Sequence, residues 1–361
     1  MRKIICSPSK YIQGEGELTK LPELYGELGI TGAYLIVDKF IIELYGDVIK
    51  KSFEEKEVPY TLMPFGGECC VSEIEKHRGD LGKADVVIGI GGGKTLDTAK
   101  AVAHYAALPM IIVPTAASTD APCSKLSVVY KRNGEFDFYL PLKKNPDMVV
   151  MDTKVITEAP ARFLAAGIGD ALATFYEADA SIRSNAIAMS GGHVTISAAA
   201  LARLCLDTLL AEGEAAMKAV ENKVCTPALE KIIETNTYLS GIGFESCGLA
   251  AAHAIHNGLT LLEPTHKYLH GEKVAFGTLT QLVMEDYPID EIRKIIKFCK
   301  TIGLPTCFKD LGIEDATYAQ LLAVATLACD KNDTMGNMPF EVTPEAVVSA
   351  MKVADALGKE A

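Results

Sequence analysis

The chain has 361 residues, 49% hydrophobic and 23% charged, enough for two domains with separate cores and too apolar for long disorder. Its net charge of −12 argues against nucleic acid or an anionic membrane surface as partner, and no apolar run approaches the ~20 residues that span a bilayer. Ten scattered cysteines without a C-x-x-C spacing, and a start (MRKIICSPSKYIQG) with too short an apolar segment for a secretory signal, lead us to expect reduced thiols in a cytoplasmic protein.

Up to about residue 160, short β-branched runs alternate with amphipathic stretches. AYLIV (33–37) precedes the helical pattern FIIELYGDVIKKSFEEK, YTLMPF (60–65) precedes VSEIEKHRGDLGK, and ADVVIGI precedes TLDTAKAVAHYAA and then MIIV (110–113). This rhythm predicts a parallel sheet with helices on both faces. KLSVVYKRNGEFDFYL carries Asn133-Gly134 between two strand-like runs, a hairpin signal, and MVVMD (148–152) reads as a last buried strand. After Pro160, long Ala- and Leu-rich segments with apolar residues at i, i+3 and i+4 predict a helical domain. The expected division is 1–160 for the α/β domain and 161–361 for the helical one, with a ligand cleft between them.

The segment GIGGGKTLDTAK (89–100) follows a strand-like run and opens a helix. It misses both common phosphate-loop patterns by one residue: a P-loop would need glycine at Ile88, and G-x-G-x-x-G would need it at Lys94. The physics survives, because consecutive glycines uncover backbone N–H groups and a helix starting near Thr95 points its positive end at an anion. Asp38, at the end of LIVDKF, is placed either to accept hydrogen bonds from an adenosine ribose, favouring NAD over NADP, or to cap the following helix. PTAASTDAPCS (114–124) offers Thr115 and Ser118 as cofactor contacts and Asp120 nearer a substrate, or is a polar loop.

Four histidines (His253, His256, His266 and His270) crowd into GLAAAHAIHNGLTLLEPTHKYLHGEKVAFG. His253 and His256, at i and i+3, share a helix side. Asp170, a carboxylate in the small-residue helix LAAGIGDALATFYEA, would be costly to bury unless paired or bound to a cation. One Asp with two His and open positions suits a catalytic metal, though packed or capped histidines would give the same spacing.

Taken in order, GIGGGKTLDTAK, PTAASTDAPCS, AAGIGDALAT, GLAAAHAIHNGLT and HGEKVAFGTLTQLV resemble the bacterial glycerol dehydrogenases of the iron-containing, or group III, alcohol dehydrogenase family. The resemblance runs from KYIQG near the start to NMP near the end. It implies a Rossmann-like N-terminal α/β domain plus an all-α C-terminal domain, an architecture shared with dehydroquinate synthase, and homo-oligomers, often octamers. It also implies Asp170, His253 and His270 as metal ligands, with NAD along Asp38, Gly92, Gly93, Lys94, Thr115, Ser118, Ser124, Leu126 and Tyr130. Asp120 and His256 then lie beside a small polyol substrate. Iron-using relatives carry a histidine four residues after the aspartate. Here that position is Thr174, a loss shared with glycerol dehydrogenases, so one Zn²⁺ per subunit is expected.

The implied reaction is oxidation of glycerol, or a related vicinal diol, to the hydroxyketone, with zinc favouring the alkoxide and NAD taking the hydride. A 3-dehydroquinate-synthase-like lyase is the alternative, but it needs basic residues for a phosphorylated acidic substrate, and 248–260 contains none. A P-loop kinase fails at Ile88, and a non-catalytic scaffold leaves Asp170 without a purpose.

Overall fold

The computed structural model describes residues 1–360 and divides into two compact units. The α/β unit comprises Ser7–Ala117 and Ala121–Ala159; the helical unit comprises Pro160–Ala361 together with Met1–Cys6 and Ser118–Asp120.

In the α/β unit the strands are β1 (Lys10–Gly14), β2 (Ala33–Val37), β3 (Tyr60–Pro64), β4 (Val86–Gly91), β5 (Met110–Pro114), β6 (Leu126–Tyr130), β7 (Phe136–Pro141) and β8 (Met148–Asp152). Its helices are α1 (Leu21–Tyr25), α2 (Lys39–Glu55), α3 (Val71–Asp80), α4 (Gly93–Ala106) and α5 (Thr153–Glu158). Six strands form a parallel sheet in the order β1-β8-β5-β4-β2-β3. Strands β2, β4, β5 and β8 are buried throughout, as their continuous apolar runs require. Leu35, Val37, Ile88, Ile90 and Val113 pack with Ile49 and Phe53 of α2 on one face. Gly89 faces the other way, where a Cβ would lie 2.5 Å from that of Ala99 in α4. The hairpin predicted at Asn133-Gly134 is β6 and β7, paired antiparallel outside the main sheet.

The chain runs outward from β2 to β3, returns to β4 on the other side of β2, and continues outward. That reversal makes the carboxyl ends of β2 and β4 the switch point where open α/β sheets bind ligands. Asp38 follows β2 and the glycine turn follows β4, linked by the Asp38 N–H to Ile90 carbonyl bond of 2.9 Å.

The helical unit contains α6 (Ala161–Arg183), α7 (Ile196–Glu221), α8 (Pro227–Glu234), α9 (Ser240–Cys247), α10 (Ala251–Leu259), α11 (His270–Met284), α12 (Ile289–Thr301), α13 (Tyr318–Ala328) and α14 (Pro344–Glu360). A π-helical turn, Thr235–Leu239, joins α8 to α9. No described helix is long and apolar enough to cross a membrane, and all ten cysteines are free.

Candidate functional site

Small residues on α6 let α11 come close. A Cβ on Gly271 would run into the Ala166 carbonyl, and one on Gly169 into the Gly271 carbonyl. This approach places Asp170 of α6 beside His270, the first residue of α11. The start of α11 is itself fixed: Arg162 donates to both Glu272 oxygens at 2.6 and 2.7 Å, and Glu272 accepts the Leu269 N–H at 2.7 Å. His253 arrives from the first turn of α10.

The ligand-type atoms of Asp170, His253 and His270 all lie within 4.8 Å of one another. Asp170 Oδ1 is 3.3 Å from His253 Nε2 and 3.1 Å from His270 Nε2. Yet this oxygen is buried and has no aligned hydrogen bond, whereas Oδ2 accepts the Asp120 N–H at 3.2 Å. A buried carboxylate oxygen without an aligned hydrogen bond, faced by two imidazole nitrogens, fits a cation. One carboxylate and two imidazoles suit a borderline divalent metal with open positions.

A residue absent from the sequence reading holds this set. Glu177 is fully buried two turns along α6; its Oε2 lies 2.6 Å from His253 Nδ1, and its Oε1 accepts the N–H groups of Ala250 and His253, both at 2.9 Å. Burial opposes charge on His253, but Glu177 and Asp170 outweigh it and hold its pKa well above the usual imidazole range. Burial alone would raise Asp170, yet His270 and His253 bring it well below the carboxylate range. His256 is pushed well down by burial and by the charge of His270, whose Nδ1 lies 3.0 Å from His256 Nε2.

Asp120 also reaches this cluster. Its Oδ2 accepts from Ser240 Oγ at 2.6 Å, and Ser240 Oγ is 2.8 Å from Thr174 Oγ1. Ser240 directly follows the π-helical turn, and its hydroxyl reaches Asp120. Burial and neighbouring Asp170 push the Asp120 carboxyl well above its ordinary pKa. Thr174, four residues after Asp170, is engaged with Ser240.

The other candidates lie in the α/β unit, except Ser118, which packs with the helical unit. Gly91 has φ +152°, and a Cβ there would meet the Asp38 Cβ at 2.9 Å and Thr95 Oγ1 at 3.0 Å, so the turn requires glycine. Helix α4 begins at Gly93, two residues before the expected Thr95, and no side chain caps it. Nothing lies within 4 Å of a Cβ built on Gly92 or Gly93. The first turn of α4 thus has N–H groups without a side-chain cap and room beside its glycines, features that suit an anion. Lys94 beside it pairs with Glu68 at 2.6 Å and sits 5.0 Å from the Tyr130 ring centroid. Thr115 anchors the turn through its N–H to the Gly91 carbonyl at 3.1 Å. Asp38 caps α2, accepting the Phe40 N–H at 2.9 Å. Leu126 and Tyr130 begin and end β6, and Ser124 is buried with its hydroxyl donated to Ala121. The sequence reading also missed Lys100, fully buried in α4, which donates to the carbonyls of Ala121 at 2.6 Å and Leu126 at 3.0 Å. It ties the segment carrying Ser124 and Leu126 to α4.

The sequence profile of the iron-containing alcohol dehydrogenases matches residues 8–153. The chain is 52% identical to the glycerol dehydrogenase of Escherichia coli O6:H1, over 99% of this chain and 98% of that protein. It is 51% identical to the glycerol dehydrogenase of Thermotoga maritima, over 98% and 96% of the two chains. The crystal structure of a probable glycerol dehydrogenase from Sinorhizobium meliloti 1021 matches with a TM-score of 0.93 at 43% identity, covering 99% of each chain. Fold and relatives together define an NAD-dependent, metal-binding oxidoreductase acting on a CH–OH group. The chain belongs to the iron-containing alcohol dehydrogenase family, among its glycerol dehydrogenases.

Proposed function

We propose that the protein oxidises glycerol, and related small vicinal diols, to the hydroxyketone (dihydroxyacetone from glycerol), with Asp170, His253 and His270 holding one zinc ion. The carrying observation is the buried Asp170 Oδ1, without an aligned hydrogen bond and faced by two imidazole nitrogens. When bound, zinc supplies the charge that favours ionisation of a diol hydroxyl, and the nicotinamide supplies the hydride acceptor. The chain's own residues do the rest. Glu177 keeps the His253 proton on Nδ1 and its Nε2 pair toward Asp170, while Ser240 and Thr174 hold the Asp120 carboxyl for a substrate hydroxyl. Thr174 in place of a fourth, imidazole ligand supports zinc over iron.

In the α/β unit, the open amides at Gly92, Gly93 and Lys94 would take the NAD pyrophosphate, with Asp38 turned to the adenosine ribose and Thr115, Ser124, Leu126 and Tyr130 along the cofactor. We assign Ser118 to the cofactor, and Asp120 and His256 to the substrate, on the family pattern. Ten free thiols support a reducing, cytoplasmic setting, and the family pattern supports a homo-oligomer, an octamer.

The deciding experiment follows NADH formation from glycerol and NAD before and after chelation, with zinc or iron restored. Activity lost to chelator and regained best with zinc is the expected result. Full zinc binding and full turnover in His270→Ala would overturn the ligand assignment.

A further inference from the structure

A chain of polar groups leads away from the candidate ligand His270. His270 Nδ1 lies 3.0 Å from His256 Nε2, His256 Nδ1 lies 3.0 Å from Asn257 Oδ1, and Asn257 Nδ2 donates to Asp333 Oδ2 at 2.9 Å. Asp333 is held in turn by the Thr334 N–H at 2.6 Å, and the Thr334 hydroxyl donates to the Ala250 carbonyl at 2.6 Å, just before α10.

The direction of every proton follows from the far end. A carboxylate only accepts, so Asn257 must turn its NH₂ to Asp333 and its carbonyl oxygen to His256. That oxygen also only accepts, so neutral His256 carries its proton on Nδ1 and offers the Nε2 lone pair to His270. His270 then carries its proton on Nδ1, leaving its Nε2 pair directed at Asp170 Oδ1, 3.1 Å away. Only this tautomer can ligate a metal through Nε2.

We propose that Asp333 and Asn257, acting through His256, are positioning residues that set the tautomer of His270 and with it the affinity for metal. This inference rests on the metal seat proposed above. Neither residue contributes to that seat directly, and Asp333 is 63 positions from His270 in the sequence.

The test titrates metal-free, full-length protein with Zn²⁺ against a chromogenic chelator, a readout independent of turnover. Asp333→Asn is isosteric but lets Asn257 face an amide, so Asn257 can flip and present its NH₂ to His256. The His256 proton then moves to Nε2, and that of His270 moves to Nε2, where the ligand pair was. Zinc affinity is expected to fall about 10-fold. The double variant Asn257→Asp/Asp333→Asn reverses the pair: the new carboxylate at 257 accepts from His256 and from the new amide at 333, restoring every proton direction. It is expected to regain wild-type affinity within about twofold. A role limited to anchoring the loop would not produce this rescue. Unchanged zinc affinity in Asp333→Asn, or a double variant no tighter than the single, overturns the proposal. His270→Ala separates the two levels. If it binds zinc like wild type, the seat itself is wrong; if it loses zinc while Asp333→Asn does not, only the positioning proposal fails.

Discussion

Replacing Glu177 with glutamine changes one atom in a fully buried, three-bonded carboxylate and isolates its effect on His253. The amide oxygen can keep the two backbone donors, Ala250 and His253, now 2.9 Å from Oε1. The amide NH₂ then faces His253 Nδ1, now 2.6 Å from Oε2, and two N–H groups cannot share that contact. Flipping the amide instead would abandon both buried N–H groups, at about 1–3 kcal/mol each. The cheaper response moves the His253 proton to Nε2, forfeiting a charged hydrogen bond of about 1.5–3 kcal/mol and closing the lone pair that faces Asp170. We expect zinc affinity to fall about 10- to 100-fold, or ~1.4–2.7 kcal/mol. Urea unfolding of the metal-free proteins supplies the control: Glu177→Ala should lose about 2–6 kcal/mol from its two orphaned N–H groups, and Glu177→Gln much less. A Glu177→Gln protein that binds zinc within twofold of wild type would refute the argument that this carboxylate sets the ligand's tautomer.

Glu177 and Asp170 outweigh burial and hold His253 above its ordinary pKa of 6.5, so the metal-free protein carries a proton there at neutral pH. Zinc uptake should therefore release about one proton per site and tighten as pH rises toward the raised pKa, levelling off beyond it; calorimetry in buffers of different ionisation enthalpy would expose an absence of proton release. Lys100→Met removes the cation that burial has placed 3.7 Å from Asp97 and on two carbonyls, so unfolding should become easier by about 3–5 kcal/mol and NAD binding should weaken, while wild-type stability in urea would contradict the anchoring role. Gly92→Val puts a side chain where nothing lies within 4 Å, so stability should change by less than about 0.5 kcal/mol while NAD affinity drops at least tenfold; calorimetric NAD titration showing normal affinity would empty the proposed cradle.

The parallel sheet was legible because strands buried on both faces must be apolar throughout, as AYLIV and MVVMD are. Strand β1 gave no such signal: KYIQG is an edge strand, only half-buried, and its pairing with β8 spans most of the α/β unit. The order of the acidic residue and the glycine turn along the chain also departs from the usual fingerprint, for a topological reason. In the usual dinucleotide fingerprint the glycines come first and the acidic residue about 20 positions later. Here Asp38 follows β2 and the glycines follow β4, reached only after the chain has gone out to β3 and come back. The spatial neighbours are the same, but their order along the sequence is reversed.

Asp170 was visible from sequence because a charge in a small-residue helix must be answered by something. The same reasoning applied to Glu177, seven positions on in the same apolar helix, would have asked for a second answer. Ser240 and Asp333 could not be found this way, since a serine in a helix and an aspartate in a polar loop need no explanation until the fold brings them to Asp120 and Asn257. Once folded, the electrostatics are consistent with a cation from three directions. Asp120, Asp170 and Glu177 are three buried carboxylates, and imidazoles that ligate a metal must be neutral. A divalent ion reduces the formal imbalance from three negative charges to one. Burial and its neighbour Asp170 push the Asp120 carboxyl toward protonation, and it is the one with no imidazole bonded to it. One carboxylate and two imidazoles within reach of one another form a donor set that suits a divalent metal.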